Sequence, residues 1–92
     1  MATIGVSIDD QGNITCPDET LQRGAQVNWS VTGGTITDIT PGDPSPFSSN
    51  PTIERGQWSA TVINSGTYTI TDAQGKRKSP RITMLSPMEN TY

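Results

Sequence analysis

Histidine is absent from the 92 residues, and cysteine occurs once, at Cys16. Without an imidazole, Ser-His-Asp and Cys-His mechanisms are excluded, and so is any metal centre built on histidine. A lone cysteine excludes an internal disulfide. No base or helix N-terminus stands near Cys16 in the sequence to activate its thiol, so it is expected as a buried structural residue on a strand. Charge is sparse, at 16% of residues, and hydrophobic residues make up only 30%. Nearly every large apolar side chain must therefore serve a core, and the surface falls to Thr, Ser, Gly, Asn and Gln. The net charge of −3 and the pI near 4.5 give an acidic surface. Such a surface repels phosphate backbones, so nucleic acid is not an expected partner. No run approaches the roughly 18 apolar residues that a membrane helix needs. The start, Met1-Ala2-Thr3-Ile4, has neither a basic nor an apolar leader region, so the chain is expected either in the cytoplasm or with a leader already removed.

What is present has a period of two. Ile4, Val6 and Ile8 alternate with polar or small residues, and Asp9-Asp10-Gln11-Gly12-Asn13 then reads as a turn. Ile14 and Cys16 continue on a short strand that Pro17 ends. After a turn at Arg23-Gly24, the residues Val27, Trp29 and Val31 mark the clearest strand. Gly33-Gly34 breaks it, and the β-branched run from Thr35 to Thr40 predicts another. Four of the seven prolines fall between Pro41 and Pro51. That stretch cannot lie in the middle of a sheet, because proline donates no ladder hydrogen bond. It is expected as a surface crossover pinned by Phe47. Alternation resumes at Trp58, Ala60 and Val62, again at Tyr68 and Ile70, and again at Ile82 and Met84, with turns at Asn64-Ser65-Gly66 and Asp72-Ala73-Gln74-Gly75. No window carries a helical stripe, and no internal repeat is evident. The pattern predicts one all-β domain over residues 1–92, a Greek-key β-sandwich of seven or eight strands, with 86–92 a loose tail.

Two segments carry a family resemblance. Gly24-Ala25-Gln26-Val27-Asn28-Trp29 resembles the G-x-x-V-x-W strand of cupredoxins. Phe47-Ser48-Ser49, Ile53, Gly56, Trp58 and Gly66-Thr67-Tyr68-Thr69-Ile70, in that order, resemble the second half of the same family, so that the likeness spans roughly residues 3–85. It implies a cupredoxin-like sandwich. It also implies that copper is not bound, because type-1 copper needs two imidazoles and a thiolate. Near the position matched to the first histidine the chain has Thr37, and near the position matched to the copper cysteine it has Asp72. An immunoglobulin-like sandwich is the alternative, since it also uses Gly-x-Tyr near its penultimate strand; Ile70 stands where its cysteine would be.

Catalysis would fall to the carboxylates Asp9, Asp10, Asp38, Asp43 and Asp72. All five read as turn or loop residues, without the burial that a general acid needs, so no catalytic residue is assigned. Calcium at Asp38, Asp43 and Asp72 would require those loops to converge with further oxygens, and it ranks below turn-forming roles for the same residues. The run Lys76-Arg77-Lys78 reads as a solvated tip or as a docking patch for an acidic partner. The expected function is a non-catalytic, metal-free and cofactor-free binding or assembly module whose partner is another protein. Its candidate contact residues are Thr37, Asp38, Asp43, Asp72, Lys76 and Arg77, on the loops 35–46 and 72–78, together with Phe47 of the proline-rich stretch. The alternative is a structural or display domain in a larger particle, pairing through a sheet edge.

Overall fold

The period-two pattern becomes strands throughout. A computed structural model describes residues 2–85, and these form ten strands and no helix. They are β1 (Ala2–Ile8), β2 (Ile14–Thr15), β3 (Glu19–Gln22), β4 (Gln26–Thr32), β5 (Ile36–Pro41), β6 (Thr52–Glu54), β7 (Gln57–Thr61), β8 (Gly66–Asp72), β9 (Arg77–Lys78) and β10 (Arg81–Leu85). The expected loose tail over 86–92 lies outside the described residues.

The strands form two mixed sheets, one ordered β2-β1-β4-β7-β6 and the other β3-β10-β8-β5, with β9 also paired to β8. β1 runs parallel to β4, and β10 runs parallel to β3; the other pairings are antiparallel. The two sheets close over a single apolar cluster drawn from both.

Alternation decides which side of each strand faces that cluster. On β1 the residues Ile4, Val6 and Ile8 are buried while Thr3, Gly5 and Ser7 are exposed. On β4 Val27 and Trp29 are buried, and on β8 Tyr68 and Ile70. The β4–β7 register sets Trp29 directly opposite Trp58. Phe47 is buried on the crossover, where a single bridge ties it to Val62. Its ring meets Trp29 and Tyr68 edge-on, with centroids 5.7 and 5.4 Å away, and Trp29 meets Tyr68 at 5.6 Å. Each such pair is worth about 0.5–1.5 kcal/mol beyond the area it buries. Since β4 and β8 belong to different sheets, this triad fastens one sheet to the other.

The buried polar tips of the triad are satisfied in the same place. Trp29 Nε1 donates to the Tyr68 hydroxyl oxygen at 3.1 Å, and the Cys16 Sγ lies 3.7 Å from that oxygen. Cys16 is a buried thiol. Burial pushes its pKa up, against the smaller opposing effect of the Tyr68 hydroxyl.

Ten strands replace the seven or eight expected. The extra ones are β3, β6 and β9, of four, three and two residues. They lie at sheet margins and carry charged or polar residues, so apolar alternation does not mark them. The placing of the aspartates also needs correction. Asp38 lies within β5, and Asp72 is the last residue of β8, only 3% exposed. Asp72 is therefore no loosely solvated loop carboxylate. The proline-rich stretch leaves the sheet after Pro41, which ends the margin strand β5, but it is not purely a surface crossover, because Pro46 and Pro51 within it are buried. No helix among the described residues is long and apolar enough to cross a membrane.

Candidate functional site

Two turns of matching sequence meet at one end of the sheets. Asp9-Asp10-Gln11-Gly12-Asn13 joins β1 to β2, and Asp72-Ala73-Gln74-Gly75-Lys76 joins β8 to β9. Both read Asp-x-Gln-Gly-x, and both fold alike. The first aspartate's amide donates to the carbonyl of the fifth residue, Asp9 to Asn13 at 3.1 Å and Asp72 to Lys76 at 3.0 Å. The glycine amide donates back to the aspartate carbonyl, at 3.0 Å in the first turn and 3.1 Å in the second. Each glycine stands at positive φ, 84° for Gly12 and 83° for Gly75, a conformation that costs glycine nothing. The aspartate Oδ1 then accepts the amides of the third and fifth residues. Those bonds measure 3.0 and 2.8 Å from Gln11 and Asn13 to Asp9, and 2.9 and 2.8 Å from Gln74 and Lys76 to Asp72.

The turns differ at the other carboxylate oxygen. In the first, the Asn13 side-chain amide donates to Asp9 Oδ2 at 3.4 Å. In the second, the fifth residue is Lys76, whose side chain lies across Gly12. Asp72 Oδ2 is buried and has no hydrogen-bond partner among the described residues. The Asp9 carboxyl is held below its ordinary pKa, first by the Asn13 amide, with smaller help from Gln11 and Lys76 against a partial desolvation.

Between the turns lies a cleft of about 400 Å³. Asp9, Asp10, Gln11, Asp72, Gln74 and Lys76 line it from the two turns, and Gly33-Gly34-Thr35 closes its side. Gly33 approaches the Ile8 carbonyl so closely that no Cβ could be placed there. The Ala73 amide donates to the Thr35 carbonyl at 3.0 Å, which fixes the second turn against that wall.

The candidate contact residues do not form one group. Thr37, Asp72 and Lys76 stand at the cleft end: the Thr37 hydroxyl donates to the carbonyls of Thr71 and Asp72, at 3.2 Å each. Asp38 is opposite Thr71, and Arg77 is also opposite Thr71 across the other edge of β8. Asp38 is exposed and accepts from the Thr40 hydroxyl at 3.0 Å. Asp43 lies past the far end of β5, where Pro41 meets Tyr68. β5 runs on for three residues past Asp38, roughly 10 Å, before the chain reaches the bend that holds Asp43. Asp38, Asp43 and Asp72 thus do not converge, and among the described residues no group of three or more Cys, Asp or Glu side chains is placed to hold a metal ion. Phe47 is 3% exposed and serves the aromatic triad, so its ring is not offered to a partner.

Asp9, weighed in the sequence only as a catalytic carboxylate, and Gln11 and Gln74 were not among the candidate contact residues, although the signal was present as the spacing Asp-x-Gln-Gly at 9–12 and at 72–75. A second cleft of about 380 Å³ lies on the other side of Gly34-Thr35, lined by Val31, Ile36, Ile53, Arg55 and Trp58. Ile53, 51% exposed on the margin strand β6, forms its lip. Comparison of the chain with protein-family models gives no match, and comparison with curated proteins gives none either.

Proposed function

We propose that this chain is a non-catalytic, metal-free binding module of cupredoxin-like architecture, which engages another protein through the end that carries the twin Asp-x-Gln-Gly turns. The observation that carries the reading is the cleft between two turns whose backbones are locked and whose tips are exposed. Asp10, Gln11, Ala73 and Gln74 are all solvent-facing, on turns held by the side-chain and backbone bonds above. Rigid turns on a stable scaffold present binding groups at little ordering cost.

The architectural part of the reading is supported by where the resembling residues fall. Trp29 of the V-x-W strand and Tyr68 of the G-T-Y strand are bonded to each other across the core. Thr37, near the position that the resemblance matches to the first histidine, donates its hydroxyl to the backbone carbonyl of Asp72, near the position matched to the copper cysteine. A hydroxyl and a carboxyl at those places, in a chain with no histidine, do not fit a type-1 copper ion. The immunoglobulin alternative is less well supported. That fold is built of antiparallel sheets, with its conserved tyrosine bonded to nearby backbone. Here each sheet holds a parallel pair, and the Tyr68 hydroxyl receives a distant indole.

A second reading, pairing through a sheet edge in a larger assembly, is favoured by Ile53, half exposed on the short margin strand β6. One experiment separates the two. The wild-type chain, a Gln11→Arg/Gln74→Arg variant and an Ile53→Lys variant are each cross-linked in extract of the source cells, and the cross-linked residues are mapped. A partner cross-linked at residues 9–13 and 72–76, lost only with the turn variant, is the expected result. Cross-links at 52–57, lost only with Ile53→Lys, would replace this proposal with the edge reading.

A further inference from the structure

The two turns act as a control for each other. They share sequence pattern, backbone bonds and the glycine conformation, and they differ at the fifth position. Asn13 caps the second oxygen of Asp9, whereas with Lys76 at that position the second oxygen of Asp72 has no donor among the described residues. The consequence is larger for Asp72 because its side chain is enclosed, at 3% exposure, while Asp9 is exposed. A buried carboxylate oxygen with no donor is costly, and it is the kind of group that a ligand satisfies. Asp72 lines the cleft between the turns, and three carboxylates line that cleft against the single ammonium of Lys76.

From this we infer that the cleft is a seat for a primary ammonium group, the side chain of a lysine on the protein partner, anchored by Asp72 Oδ2. The inference rests on the binding-module reading and names the chemistry of its contact. An ammonium offers three donors. Asp72 Oδ2 takes one, and Asp10, Gln11 and Gln74 supply further acceptors around the same cleft. The excess of negative charge favours a cation over a neutral donor. Calcium is a poorer occupant, because it wants six to eight oxygens and no group of three metal-ligating side chains is assembled among the described residues. Asp72 Oδ2 is enclosed, so an entering ammonium must displace the groups that cover it, and the lining side chains of Gln11, Gln74 and Lys76 are exposed and free to change rotamer.

The test is an amide-resolved NMR titration of the whole chain. The probes are a blocked Gly-Lys-Gly peptide, its Nε-acetylated form, methylammonium chloride and calcium chloride. Saturable shifts of the Gln74 and Lys76 amides with the lysine peptide, and none with the acetylated peptide, are expected. Asp72→Asn keeps an Oδ1 acceptor for those amides but removes the anionic Oδ2, and it should weaken binding by about tenfold or more. Lys76→Asn copies the first turn and places an amide donor on Asp72 Oδ2. It should abolish binding while leaving the fold intact, and it keeps the test decisive if Asp72→Asn fails to fold. Equal binding by Lys76→Asn, equal binding of the acetylated peptide, saturation by calcium at the same amides, or binding of methylammonium without the lysine peptide would each overturn the inference. An absence of shifts with every probe overturns it too, while the turn-end reading is judged separately by the mapped cross-links.

Discussion

One hydroxyl ties together most of what the core contains. The Tyr68 oxygen accepts from the Trp29 indole of the opposite sheet and contacts the thiol of Cys16. Tyr68 is 1% exposed, so neither water nor another group can replace that oxygen cheaply. In Tyr68→Phe the ring and its two edge contacts remain, but the buried indole N–H loses its acceptor. The expected loss is about 1–3 kcal/mol, the cost of an unpaired buried donor. Urea unfolding should show it as a lower midpoint at unchanged slope. A loss below a few tenths of a kcal/mol would mean that the indole finds another acceptor. The sequence made the ring legible and left the bond hidden. Trp29, Tyr68 and Cys16 each fall on the inward phase of an alternating run, which predicts burial one residue at a time. Their meeting depends on how segments 39 and 52 positions apart in sequence are brought together across the two sheets, and no local pattern carries that information. The same holds for Asp72. Its turn chemistry was readable from Asp-x-Gln-Gly, but its burial depends on the long-range pairing of β8 with β5, which sets it opposite Ile36.

At the scale of elements, turns were easier to read than the short strands they join. The glycine-bearing turns expected at 9–13, 23–24 and 72–75 are present, whereas at the turn expected over 64–66 Gly66 already opens β8. β3, β6 and β9 escaped because a margin strand of two to four residues needs no apolar face. The β6–β7 hairpin shows a local choice that departs from turn preference. Its two central residues, Arg55 and Gly56, both have positive φ, 55° and 80°, as the favoured primed hairpin turn demands. Asn or Asp is the usual first residue there, since a long side chain gains nothing locally from the left-handed region. Arg55→Asn should therefore stabilise the chain by ~0.5–1 kcal/mol. That corresponds to a rise in melting temperature of a few degrees for a domain of this size. Calorimetry checks it, and a fall in melting temperature would show that the guanidinium makes contacts worth more than the turn strain.

For the whole molecule, the single core shared by both sheets links proton binding at its centre to the stability of the entire fold. Burial pushes the Tyr68 hydroxyl far above its ordinary value of 10.0, and burial likewise raises Cys16 above its ordinary 9.0. The sign follows from which state holds the proton. Above these ordinary values the unfolded chain has released both protons while the folded chain keeps them, so stability falls as pH rises. The contribution is fully present below about pH 9 and is lost progressively above it. Each group adds a slope of about 1.4 kcal/mol per pH unit between its unfolded and folded values. Because one core serves both sheets, the loss should appear as a single cooperative transition in which tryptophan fluorescence and far-ultraviolet circular dichroism change together. Urea midpoints measured from pH 8 to 11 should stay level at first and then decline. In Cys16→Ala the decline should start later, near pH 10, because only the Tyr68 hydroxyl then remains to resist ionisation. A midpoint that holds steady to pH 11, or a fluorescence change that precedes the dichroism change, would show that the centre of the core opens without the sheets coming apart.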